Sequence, residues 1–268
     1  MAYPVERKPA HAGSFYPAGK AELDAMLTEL LSRPCGEDRN GVLRGLVVPH
    51  AGYVYSAKTA AAGYCKLQAM PKQPSNFILL GPSHNALFGG FATCSFRLWR
   101  TPLGAVVSES IQGLCGKSEI LLDSAEAFVP EHCLEVQLPF LQKTCRRDFK
   151  IFPCLTSETD AGSVAEYLAP ALGSRGNFLI VSSDLSHFLS RKQAEKVDGS
   201  SSEIITGLDL NKADAIDACG KTGIVTAMLL ARKFGWVCSK LDYSTSFDAS
   251  GDDQRVVGYG SYGLYEKS

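Results

Sequence analysis

The stretch NFLIVSSD (177–184) decides how the rest of the chain is read. Its apolar residues Phe178, Leu179, Ile180 and Val181 follow one another without alternation, as in a strand covered on both faces. The polar Ser182, Ser183 and Asp184 then close it. Working outward, GLVVPH (45–50), NFILLG (76–81), FATCSF (91–96), KIFPCL (150–155), WVCSKLDYST (236–245) and VVGYGSYGLY (256–265) also read as strands. Helical spacing predicts helices near 20–32, 56–69, 104–115, 132–145, 160–172, 200–210 and 221–234. This alternation predicts an α/β fold, a single α/β/α sandwich with a mostly parallel central sheet. The short connection between the last two strands predicts an antiparallel hairpin at one end. No repeat, low-complexity tract or long linker divides the chain, so residues 1–268 are read as one domain. PCGEDRNG (34–41) is expected to be a surface loop, and 246–255 a polar segment that is mobile or functional.

The charges nearly cancel, with 27 basic and 28 acidic residues for a net charge of −1. That balance gives no electrostatic reason to expect nucleic acid or an anionic membrane as a partner. A small-molecule or peptide ligand is expected instead. The N-terminal MAYPVERKPAHAGS is charged and has no apolar signal core, and no glycosylation sequon occurs. The nine cysteines are scattered, with no Cys-x-x-Cys pair, and most are expected to be buried reduced thiols. The longest apolar runs are strand-sized, too short for membrane insertion. The expected location is the cytoplasm, with the nucleus as the alternative.

In open α/β sheets ligands bind beyond the carboxyl ends of the strands. His50, His84 and His187, three of the five histidines, fall at such ends. One histidine at a strand end is as readily a hydrogen-bonded structural residue, but three at equivalent ends point to a shared pocket. Asp184, three residues before His187, could orient an imidazole, serve as a ligand or cap a helix. In PEHCLEVQLPF (130–140), Pro130 suits a first helical turn, and His132 and Glu135 would share one helix face. A zincin needs two histidines on that helix, so that reading fails. His132 is left either as a proton carrier lining the pocket or as part of an exposed polar face. Gly258, Gly260 and Gly263 spell a dinucleotide fingerprint, but they lie in the final strand with no helix after them.

Five motifs carry a resemblance: His11-Ala-Gly-Ser-Phe-Tyr, Pro49-His-Ala-Gly-Tyr, Gly81-Pro-Ser-His, Glu131-His-x-x-Glu and Ser182-Ser-Asp-x-x-His. Together with the C-terminal Val257-Gly-Tyr, they resemble the Memo family (mediator of ErbB2-driven cell motility) from about residue 8 to 265. That family resembles in fold the class III extradiol dioxygenases, which hold Fe(II) with two histidines and a carboxylate. The resemblance implies His50 and His84 as metal ligands, with His187 as acid/base. It also implies a cysteine, here Cys219, in place of the carboxylate.

A thiolate is softer than a carboxylate and can be oxidised, so ring cleavage does not carry over. Two functions follow from the resemblance. One is a redox-active protein with a single Fe(II) or Cu ion on His50, His84 and Cys219, where His187, Asp184 and His132 move protons. The other is a non-catalytic signalling protein whose pocket binds peptides, phosphotyrosine segments among them. Cationic residues near the motifs, Lys58 and Lys221 among them, are sparse for a phosphate clamp.

Overall fold

The computed structural model describes residues 5–33, 35 and 41–267. The expected loop 34–41 lies outside the described residues apart from Cys35 and Gly41. In chain order the strands are β1 (Glu6–Arg7), β2 (Val42–Val48), β3 (Asn76–Pro82), β4 (Phe91–Thr93), β5 (Leu98–Thr101) and β6 (Gly104–Ser108). They continue with β7 (Leu121–Asp123), β8 (Lys150–Thr156), β9 (Asn177–Ser182), β10 (His187–Leu189), β11 (Trp236–Thr245) and β12 (Val256–Glu266).

The strands β8, β3, β9 and β2 lie side by side and parallel, forming the centre of the sheet. Beyond β2, the antiparallel β12 carries both β11 and β10. On the other flank β6 and β5 follow β8, with β1 outermost. The final hairpin is therefore present, with β11 at its outer side.

Consecutive apolar residues in the central strands serve two separate cores. Phe77, Leu79, Phe178, Ile180, Leu46 and Val48 face one, while Ile78, Leu80, Leu179, Val181 and Val47 face the other. Side chains alternate across a strand, so a strand sandwiched between helical layers must be apolar at both parities. The first core is covered by helices Lys20–Leu31, Tyr53–Ala69 and Leu138–Thr144, through Leu23, Leu27, Tyr64 and Phe140. The second is covered by helices Ala161–Leu172, Arg191–Gly207 and Lys221–Phe234, through Val164, Leu168, Ile205 and Leu230. Each fully buried leucine, isoleucine or phenylalanine contributes about 1.5–3 kcal/mol of transfer free energy.

Several local expectations are corrected. Residues 104–115 are not one helix: β6 pairs antiparallel with β5, and only Gln112–Cys115 is helical. The β-branched Val106 and Val107, one buried and one exposed, suit a half-covered strand. The segment expected as helix 132–145 begins with a 3-10 turn at Glu135–Gln137 and becomes α-helical only over Leu138–Thr144. Pro139, which has no N–H to donate, sits in that first turn. The helix expected at 200–210 spans Arg191–Gly207 and opens on a Ser190/Gln193 capping box.

Cys35 and Cys65 form a disulfide, with Cα atoms 5.6 Å apart, whereas the other seven cysteines are free. Their separation of 30 residues offered no spacing cue. Among the described residues no helix is long and apolar enough to cross a membrane.

Candidate metal centre

Because β3, β9 and β2 are neighbours, their carboxyl ends lie together. His84, Asp184 and His50 each follow the last residue of one of these strands by a single intervening residue. Asp184 occupies the middle position. Its Oδ1 accepts the backbone N–H of His50 at 2.7 Å and of Ala51 at 3.3 Å, fixing the turn that presents His50. No helix starts at Asp184, so the capping alternative is set aside: the next helix is capped at Ser190. The His50 ring is buried, with Nδ1 3.0 Å from Ser182 Oγ and Nε2 3.3 Å from Cys219 Sγ.

Cys219 arrives on the turn before helix Lys221–Phe234. Its Sγ accepts the Asp184 backbone N–H at 3.3 Å. Gly220 makes this approach possible, since a Cβ there would stand 2.7 Å from the Ser183 Cβ. A similar close approach occurs at Gly81, where a Cβ would meet Cys133 Sγ at 2.6 Å. The end of β3 is thereby held against the 131–134 segment.

That segment carries Glu131, which is almost wholly buried. Its Oε2 accepts the backbone N–H of His84 at 2.7 Å, and its Oε1 lies 2.9 Å from His84 Nδ1. The same Oε1 accepts the N–H groups of His132 and Cys133. The chain therefore winds around the carboxylate here, which explains why the helix starts late. Burial works against the charged form of both partners, but the hydrogen bonds outweigh it. The contact with Cys219, and after it the bond to Glu131, raises the His84 pKa to about 9, and the bonds from His84 and then Cys133 lower that of Glu131 to about 2.

One donor atom each from His50, His84 and Cys219 lies within 4.8 Å of the other two. Tetrahedral bonds to nitrogen and sulfur place ligand atoms about 3.3–3.8 Å apart, so these three need only a small contraction to hold one ion. His84 offers Nε2, because Nδ1 is engaged by Glu131. A second grouping, His84, Glu131 and His132, also meets the distance test. There the carboxylate oxygens are already filled by hydrogen bonds, so this grouping orients His84, as carboxylates behind ligating histidines do.

His132 does not sit on an exposed helix face. Its ring stacks on His84 at 4.6 Å and lies edge-on to His50 at 5.3 Å, with Phe15 and His11 on its other sides. Burial, and then the neighbouring His50, lower its pKa to about 3, so it is neutral at physiological pH.

His187 belongs to neither ligand grouping. It lies on β10 in register with Val257 of β12, which places it beyond β2, and its ring meets Phe188. Phe188 is 62% exposed yet has φ of 60°.

Glu135 is likewise not exposed. It is fully buried, with Oε2 2.5 Å from Arg7 Nη1. It also accepts the backbone N–H groups of Ala10 and His11 and the Tyr16 hydroxyl. One carboxylate thus ties residues 7–16 to the site and seats His11 and Phe15 against His132. The spacing of the two glutamates in Glu131-His-x-x-Glu predicts neither role. Their recurrence beside His11-Ala-Gly-Ser-Phe-Tyr was the available signal.

Fold and site together define an α/β protein with two histidines and a cysteine gathered at the carboxyl edge of a mostly parallel sheet. The chain belongs to the Memo family: residues 7–263 match the family described as Memo-like protein. It is 33% identical to a MEMO1 family protein of Nitrosopumilus maritimus, over 95% of this chain and 98% of that one. It is 37% identical to a MEMO1 family protein of Methanobrevibacter smithii, again over 95% and 98% of the two chains. A relative from Methanopyrus kandleri is 35% identical over 95% of this chain and 97% of its own.

Proposed function

We propose that this protein binds one redox-active ion, Fe(II) or Cu, through His50, His84 and Cys219, and acts on a small-molecule or peptide ligand beside it. The observation that carries this reading is the mutual approach of three donor atoms, from parts of the chain far apart in sequence, to within 4.8 Å. Two imidazoles and a thiolate suit iron or copper, and such an ion supplies Lewis acidity and electron transfer when bound. Asp184 holds the His50 turn, and Glu131 holds His84 and balances its charge. His132, kept neutral by burial and packed against both ligand rings, is the side chain best placed to hydrogen-bond a ligand bound beside the ion. The resemblance also implies His187 and Asp184 as proton carriers; Asp184 Oδ1 accepts the N–H groups of His50 and Ala51, and His187 lies on β10 beside β12.

The test is anaerobic reconstitution with Fe(II) or Cu(I), followed by elemental analysis of wild type, His50→Ala, His84→Ala and Cys219→Ser. One ion per wild-type chain, lost in each variant, supports the reading. Equal metal content in all four proteins contradicts it. Wild type that takes up no ion but binds phosphotyrosine peptide would favour the signalling alternative.

A further inference from the structure

We propose that Ser182 and Gln137 are positioning residues that lock His50 in its Nδ1–H form, so that the Nε2 lone pair faces Cys219 before any ion arrives. The inference deepens the metal-binding reading, but the tautomer is a property of the metal-free protein.

The argument is a count of hydrogens. A serine hydroxyl has one hydrogen to give and two lone pairs to fill. Ser182 Oγ has three neighbours: the Cys133 carbonyl at 2.7 Å, Gln137 Nε2 at 2.9 Å and His50 Nδ1 at 3.0 Å. A carbonyl can only accept, so the hydroxyl hydrogen goes to Cys133. The Gln137 amide is oriented independently of Ser182. Its nitrogen donates to the Pro49 carbonyl at 3.0 Å, and its oxygen accepts the Tyr64 hydroxyl at 2.9 Å. Flipping the amide would set two acceptors against each other at Pro49. Gln137 therefore donates to Ser182 and fills one lone pair.

Ser182 can then only accept from His50. In the neutral ring the hydrogen sits on Nδ1, and Nε2 presents its lone pair to Cys219 Sγ at 3.3 Å, where the thiol S–H is the donor. Ser182, Gln137 and Tyr64 are all at most 1% exposed, so water does not take the place of any member. The two ligand histidines are consequently oriented in different ways: His84 by a charged carboxylate, His50 by a neutral hydroxyl whose polarity is set two residues away. This accounts for the burial of a glutamine and a serine beneath the site, polar groups that are costly to bury unless fully paired.

The test is ¹⁵N NMR of the His50 ring in metal-free protein at neutral pH, with zinc alone as the probe of ligand capacity. In wild type we expect Nδ1 to carry the hydrogen and Nε2 to show the shift of an unprotonated nitrogen. In Ser182→Ala we expect the Nε2–H form to appear and zinc affinity to fall about 10–100-fold, the usual loss when an orienting partner is removed. A hydrogen on Nε2 in wild type overturns the proposal, even if Ser182→Ala proves unable to fold. So does an unchanged tautomer in a folded Ser182→Ala. Wild type with Nδ1–H that takes up no zinc would uphold the tautomer lock while contradicting the metal-binding reading.

Discussion

Glu131 grips His84 at two points, accepting its backbone N–H at 2.7 Å and meeting its ring Nδ1 at 2.9 Å. The pair fixes both the position of the imidazole and which nitrogen faces the cluster. It also makes the site sensitive to pH.

In the metal-free protein His84 holds a proton up to about pH 9, so an incoming ion must displace it. Metal affinity is expected to rise with pH up to that value, and in Glu131→Gln the dependence should end at a lower pH, because one of the contacts that raise the His84 pKa is gone. The stability supplied by the pair follows the same shifts. The raised His84 contributes fully below 6.5 and is lost as pH rises through about 9. The lowered Glu131 contributes above 4.5 and is lost as pH falls toward about 2. The pair is therefore intact from about pH 4.5 to 6.5. Competition titrations across pH, with NMR titration of the His84 ring, check both parts. A ring that titrates near 6.5 in wild type would refute them.

Glu135→Ala should be far more damaging than its surface-like sequence context suggests. It removes the carboxylate paired with Arg7, which is 2% exposed, and leaves a buried guanidinium held only by backbone carbonyls and the Trp99 ring. Such losses run to about 3–5 kcal/mol. Urea unfolding measures this, and pairing the change with Arg7→Met should recover part of the loss. A cost below about 1 kcal/mol would mean that the buried guanidinium does not depend on this carboxylate.

Asp184→Asn keeps an oxygen able to accept from His50 and Ala51 but removes the charge 4.0 Å from His50 Nε2. The expected result is a metal affinity reduced about 10-fold or more with little change in melting temperature. Early melting with affinity intact would show that Asp184 serves the fold rather than the site.

Much of this was legible in the sequence. Helix Lys221–Phe234 and strand Trp236–Thr245 have the bounds their patterns gave, because a full amphipathic period and turn residues mark both ends. His50 and His84 could be placed because strand ends are local features. The carboxylates were harder. Glu135 reads as a polar helix residue until Arg7, 128 positions earlier, is brought against it. The hairpin of β5 and β6 was missed because a short apolar run such as GAVVS fits either periodicity. His187 followed its strand like the others, but hydrogen bonding to β12 carries the chain after Asp184 away from β3: Leu185 donates to Gly258, and Gly258 to Ser186.

Phe188 holds a left-handed backbone at φ 60°, a conformation that costs a bulky residue roughly 1–2 kcal/mol. In an ordinary strand alanine is more stable than glycine by about 0.5–1 kcal/mol. Here Phe188→Gly should be at least as stable as Phe188→Ala, because glycine relieves the strain, and both lose the Arg255 contact with the ring equally. Thermal unfolding of the two variants decides it, and the ordinary order would show an unstrained backbone.

The ligand set itself is tested most directly by X-ray absorption at the metal edge of protein loaded anaerobically with one equivalent of Fe(II). The account predicts one sulfur scatterer and at least two imidazole nitrogens, at distances of about 2.0–2.3 Å. The sulfur should vanish in Cys219→Ser. A wild-type spectrum with no sulfur scatterer, or one that Cys219→Ser leaves unchanged, would contradict a centre built on His50, His84 and Cys219.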